Sequence, residues 1–134
     1  MKLSENDFKN YTAILRAELI PAMGCTEPIA IAYAAAMIRK LLGEMPIRIT
    51  VNCSGNIIKN VKGVTVPNSG GQKGIEVAAI LGMVGGDPDK KLEVIAGVTY
   101  EDREECRTTQ RNEDLRCESV RGCSKSLYRD HHGI

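Results

Sequence analysis

Two stretches of this chain carry residues suited to chemistry: a cysteine at the mouth of one helix and a glycine-rich loop at the mouth of another. In Gly24-Cys25-Thr26-Glu27-Pro28, the cysteine stands just ahead of the apolar run Ile29 to Leu42. Thr26 is a good N-cap, and Pro28 falls in the first helical turn, where its missing N–H costs nothing. A thiol placed there faces unpaired N–H groups and a partial positive charge. Both favour the thiolate, the form that binds metal or attacks carbon. Inert packing is the other reading of a single cysteine. The second stretch is Asn68-Ser69-Gly70-Gly71-Gln72-Lys73-Gly74. Its paired glycines let the backbone come close to a ligand, and the N–H groups that follow can hold an anion. No Lys-Ser or Lys-Thr stands at P-loop spacing, and taken alone the loop also reads as a plain turn.

The elements that must position these residues follow from spacing. Ser4 with Asp7 resembles a capping box, and Phe8, Tyr11, Leu15 and Leu19 recur at helical intervals, so a helix is expected from about Glu5 to Ile20, ended by Pro21. The helix after Cys25 has no charge until Arg39 and Lys40, which suit its C-terminal dipole, and Gly43 is a natural stop. Ile47 to Cys53 alternates apolar and polar, which predicts a strand with Ile47, Ile49, Val51 and Cys53 on its buried face. Ser54-Gly55-Asn56 signals a turn, and Ile57 to Lys62 reads equally as short helix or strand. A helix is expected from Gly74 to Met83, another from Asp89 to Ala96 capped by Asp87-Pro88, and a further cap at Thr99 with Asp102 whose helix would run into the segment that follows. The fold class is mixed α/β, helix-rich, with one or two short strands.

Composition bounds the rest. At 134 residues the chain is one domain at most, and its net charge of +1 offers no electrostatic case for nucleic acid or an anionic membrane. The uncharged run from Pro28 to Ile38 is too short to span a bilayer, and the N-terminus lacks a signal-peptide pattern, so a cytoplasmic location is expected. Five cysteines, an odd number, argue for free thiols or metal ligands rather than a disulfide framework. Composition breaks near residue 100. Residues 101–134 hold 15 of the 35 charged residues, and their basic residues are six Arg and one Lys, against three Arg and eight Lys before them. Apolar periodicity stops there, so a disordered tail is expected over 103–134. The exchange of Lys for Arg is what a shifted reading frame produces.

Four segments in this order, Met23–Tyr33, Ser54–Val61, Val66–Ile75 and Gly85–Pro88, resemble the N-terminal part of the L-cysteine desulfidase family. That family is related to the alpha subunit of iron–sulfur L-serine dehydratase, and many of its members were catalogued as an uncharacterised protein family. The resemblance covers residues 1 to about 102. It implies a serine dehydratase alpha-like domain and a lyase that needs no pyridoxal phosphate. Such a lyase uses a 4Fe–4S cluster to eliminate hydrosulfide from L-cysteine, giving pyruvate and ammonia, with L-serine as the alternative substrate. By the same resemblance Cys25 is a cluster ligand or catalytic base. Asn56, Asn68, Ser69, Gly70, Gly71 and Lys73 line a pocket for a small amino acid, with the Ser69–Gly71 backbone holding its carboxylate. The remaining cluster cysteines lie farther along the family chain. Cys106, Cys117 and Cys123 fall in no matching motif, and their Cys-x10-Cys-x5-Cys spacing fits neither a ferredoxin nor a zinc finger. His131 and His132 read as tail residues rather than a ligand pair.

The resemblance implies a chain inactive alone, prone to self-association or completed by a C-terminal partner chain. A rival from another class is a small non-catalytic thiol or metal-binding protein that uses the tail cysteines. A gene product without stable function is the third.

Overall fold

Between Glu27 and Arg39 the second helix carries no charge, and the core forms there. The computed structural model describes residues 3–111 and the backbone of Leu127 and Tyr128. In chain order the elements are α1 (Glu5–Glu18), α2 (Thr26–Leu42), β1 (Thr50–Val51), α3 (Gly55–Val61), α4 (Ile75–Gly85), a 3₁₀ segment (Pro88–Glu93), α5 (Tyr100–Gln110) and β2 (Leu127–Tyr128). The class is helix-rich, with β1 and β2 paired antiparallel, Thr50 opposite Tyr128 and Val51 opposite Leu127.

α2 buries Pro28, Ile29, Ile31, Ala32, Ala35 and Ala36, the stripe that a 3.6-residue period puts on one face. That face lies on α4, which is buried without interruption from Val77 to Met83. α5 packs against α4, and the 3₁₀ segment packs against α2. At the crossing of α2 and α4 the two backbones touch. A Cβ added to Gly82 would stand 2.2 Å from the Ala32 carbonyl oxygen and 2.7 Å from the Ala32 Cα. One turn on, a Cβ at Gly86 would be 2.8 Å from the Cβ of Ala36. Small residues four apart on both sides make this approach possible, and they bring α2 close enough to finish its neighbour. α4 has no basic residue in its own last turn. The guanidinium of Arg39 on α2 instead donates to the carbonyls of Met83 and Val84, which the helix leaves without partners.

Several boundaries differ from those expected. α1 stops at Glu18 and buries none of its residues. Ile57 to Lys62, open between two readings, is the body of α3, capped by the Ser54 hydroxyl accepting from the Ile57 N–H. Ile49, Val51 and Cys53 are buried as the alternation predicts, but Ile47 is exposed, because the chain becomes regular strand only at Thr50. The helix expected over Asp89 to Ala96 is a 3₁₀ segment. Asp87 caps it as anticipated, its carboxylate accepting from the Asp89 N–H at 3.1 Å, but Lys91 adopts φ 51° and breaks the run. The carbonyls of Ile95, Ala96 and Val98 are turned toward the side-chain amide of Asn68, which an α-helix there would not allow.

The cap at Thr99 with Asp102 is a full capping box, and the helix it starts runs on to Gln110 with Cys106 buried. Helical order therefore crosses the boundary at residue 102 that composition suggested. The remainder of the expected tail, with Cys117, Cys123, His131 and His132, lies outside the described residues. Among the described residues no helix is long and apolar enough to cross a membrane.

Replacing Gly82 by alanine should destabilise the protein by about 1–3 kcal/mol, because the overpacking at Ala32 outweighs alanine's better helix propensity. Gly63→Ala is the control, since a Cβ at Gly63 meets nothing within 4 Å. Urea unfolding of the two variants measures the difference. Equal midpoints would mean that α2 and α4 can separate freely.

Candidate functional site

The loop between Thr65 and Gly74 closes on itself. Val66 N–H donates to the Gln72 carbonyl at 2.9 Å, and Ser69 N–H donates to the Val66 carbonyl at 3.3 Å. The Ser69 hydroxyl donates to the same Gln72 carbonyl at 3.0 Å, while the Gln72 amide donates back to the Ser69 carbonyl at 2.8 Å. Thr65 and Lys73 form an antiparallel bridge at the base. Tightness of this order needs left-handed backbone at its tip: Asn68 sits at φ 56°, Gly70 at 73° and Gly71 at 88°. Asn68 also fastens the loop to the rest of the molecule. Its amide nitrogen donates to Ile95 O at 2.9 Å, Val98 O at 3.2 Å and Ala96 O at 3.3 Å, and its oxygen accepts from the Arg103 guanidinium.

Gly70 is where the loop meets α5. A Cβ built on it would be 3.4 Å from Nη2 of Arg107 and 3.6 Å from Cδ of Arg103. Both arginines are thus on the exposed glycine tip, one turn apart on their helix. Arg107 is paired with Glu104 of its own helix. Arg103 has a neutral partner, the Asn68 oxygen, and its Nε is buried without an acceptor. Among the described residues no carboxylate pairs with Arg103. Nor does any hydrogen bond among them use the N–H of Gly70 or Gly71. Gln110 closes the far side, donating to Gln72 at 3.1 Å and to the Cys106 sulfur at 3.4 Å. Cationic guanidinium beside free backbone N–H groups in left-handed conformation is an arrangement that attracts anions.

Cys25 is exposed, and it is itself the N-cap of α2, without a side-chain capping bond. Thr26, expected as the cap, is the first helical residue, and its hydroxyl turns to Glu27 at 3.4 Å. Glu27 accepts from the Asn60 amide at 3.2 Å, which ties the start of α2 to α3. A Cβ on Gly24 would lie 3.7 Å from Cγ of Pro67, so the Cys25 turn adjoins the start of the loop.

The other anticipated residues divide. Gly70 and Gly71 are exposed at the tip, Lys73 is exposed at the base, and Ser69 is fully buried with its hydroxyl committed inside the loop. Asn68 is a fastener rather than an open contact. Asn56 is exposed in the first turn of α3, outside the loop's hydrogen-bond network. Arg103, Arg107, Gln72 and Gln110 were not anticipated. Their signal was the i, i+4 pair Arg103 and Arg107 following a capping box, which the polar composition beyond residue 100 concealed.

Cys53 and Cys106 are buried in the core while Cys25 is exposed, and among the described residues no group of three or more potential ligands converges. Burial pushes both core thiols above the ordinary cysteine value, and for Cys106 the Gln110 amide and the Arg107 charge act in the opposite sense.

No family model matches this chain, and no solved structure does. It is similar to a protein of Treponema denticola, 56% identical over 101 residues, covering 75% of this chain and 23% of the relative. A protein of Lachnoclostridium phytofermentans is 60% identical over 100 residues, which are 75% of this chain and 24% of that one. One of Finegoldia magna is 62% identical over 94 residues, 70% of this chain and 22% of the relative. The chain therefore spans about a quarter of the length of the curated relatives it matches. All three are named UPF0597 protein, an uncharacterised family whose name states no activity. That name overturns the resemblance to the L-cysteine desulfidase and serine dehydratase families, together with the elimination of hydrosulfide expected from it.

Two outcomes follow from the thiols. With iodoacetamide under native conditions, peptide mapping should find Cys25 alkylated and Cys53 and Cys106 protected until denaturant is added; native labelling of Cys106 at the Cys25 rate would contradict its burial. Stability should also fall as pH rises above 9.0, the ordinary thiol value. In that range the unfolded chain releases thiol protons that the folded chain retains, so the unfolded state binds fewer protons and is favoured. Melting curves of the wild type and of a Cys53→Ala, Cys106→Ala double variant test this. The slope above that pH should flatten in the variant.

Proposed function

We propose that the Val66–Lys73 loop, with Arg103 and Arg107, binds the carboxylate of a small ligand, amino acids included. The observation that carries this reading is Arg103, a guanidinium without a carboxylate among the described residues, whose side chain passes Gly70 together with that of Arg107, at a loop tip where the N–H groups of Gly70 and Gly71 have no hydrogen-bond partner among the described residues. A carboxylate seated there accepts from the planar guanidinium and from the glycine backbone together, a geometry that lysine would not reproduce. The loop is preorganised for this, since its internal hydrogen bonds and the Asn68 fastening fix the tip before any ligand arrives. Ser69 contributes by holding the loop closed, not by direct contact. Lys73 adds an outer positive charge. Cys25 stands beside the start of the loop as a thiol at the edge of the site, and Asn56 is its outermost member. In the longer relatives the remaining walls come from polypeptide beyond the matched stretch.

Glycine and acetate are the probes. NMR titration should move the amide signals of Gly70 and Gly71 and the side-chain signals of Arg103, with dissociation constants of the order of millimolar, weakening as salt is added. Arg103→Gln should abolish the shifts while leaving the melting temperature close to that of the wild type. Shifts that persist unchanged in Arg103→Gln, or that never touch the loop, would dispose of the proposal.

A further inference from the structure

α1 is a helix without a neighbour. It has a complete capping box from Ser4 and Asp7, yet none of its residues is buried and it makes no substantial contact with another element among the described residues. Its apolar residues are not scattered. Phe8, Tyr11, Leu15 and Leu19 fall on one side, exposed by 66%, 55%, 55% and 70%, and Ile14 flanks them at 55%. A helix of 14 residues is marginal by itself in water, so its stability has to come from something laid against that side. Charge does not select the partner: Glu5, Asp7 and Glu18 nearly balance Lys9 and Arg16 around the rim.

We infer that the apolar side of α1 is a docking surface for the polypeptide that, in the longer relatives, lies outside the stretch matched here. Those relatives match over 94 to 101 residues, which are only 22–24% of their lengths, so most of each relative is available to cover this side. The occupant is an aliphatic and aromatic surface, dry and weakly charged, because that is what complements Phe8, Tyr11, Leu15 and Leu19. The inference is independent of the carboxylate-binding proposal, as α1 contributes nothing to the loop.

Hydrogen–deuterium exchange of the full-length Finegoldia magna relative, beside this chain, tests it. In the relative, the helix matching α1 should exchange at least about tenfold more slowly than α1 does here, and a Leu15→Glu equivalent should return it to the fast rate. Light scattering of this chain should show a monomer whose exposed face binds a hydrophobic dye, with the dye signal lost in Leu15→Glu. Equal exchange in the two proteins would overturn the inference. So would a dimer of this chain that Leu15→Glu dissolves, since the occupant would then be a second copy.

Discussion

Two helices can bring their backbones into contact only where neither carries a side chain at the point of crossing, and the rest of this structure depends on one such point. Gly82 of α4 lies on the carbonyl of Ala32 in α2. From that contact follow the burial of α4 on every side, the reach of Arg39 to the last carbonyls of α4, and the position from which α4 presents a surface to α5. α5 in turn delivers Arg103 and Arg107 to the glycine loop. With no tryptophan and a single phenylalanine, and that one exposed on α1, the core has to be built from aliphatic residues and alanine at short range. Close backbone approach replaces large side chains as the source of contact.

What the sequence made legible was whatever depends on near neighbours. Capping at Ser4, Asp87 and Thr99, the long uncharged helix after Cys25, and the alternation from Ile49 to Cys53 are written within a few residues each. What stayed hidden depends on distant partners. Lys91 leaves helical backbone where the carbonyls just after it bond an amide far away in sequence, and no local pattern encodes that. Arg103 and Arg107 looked like part of a charged, aperiodic tail, although Cys106 between them is a core residue. The Thr99 cap announces the helix, but one buried residue in a turn is too little periodicity to show how far it runs or which face it buries. The site was half legible for the same reason. Glycines in a loop are visible in sequence, but the cations that face them are contributed by another element.

The two faces of the molecule differ in their completeness. Around the loop, side-chain and backbone groups are tied into one network, yet the buried Nε of Arg103 and the N–H groups of Gly70 and Gly71 have no partner among the described residues. Around α1, the mismatch is apolar and covers a whole helix side. A leftover donor beside a rigid turn is suited to something small and charged, whereas a leftover apolar helix face is suited to something large and uncharged.

The fastening by Asn68 also sets how the chain ages. Deamidation of an asparagine requires its own side chain to be attacked by the nitrogen of the next residue. Here that nitrogen, on Ser69, is held by the Val66 carbonyl, and the amide is pinned by three others. The folded protein is therefore shielded from this chemistry, and damage enters through molecules that have unfolded. When such a molecule refolds with aspartate at this position, a donor to three carbonyl oxygens has become an acceptor facing them. One hydrolysed amide then registers as a loop that no longer closes onto the chain entering α5.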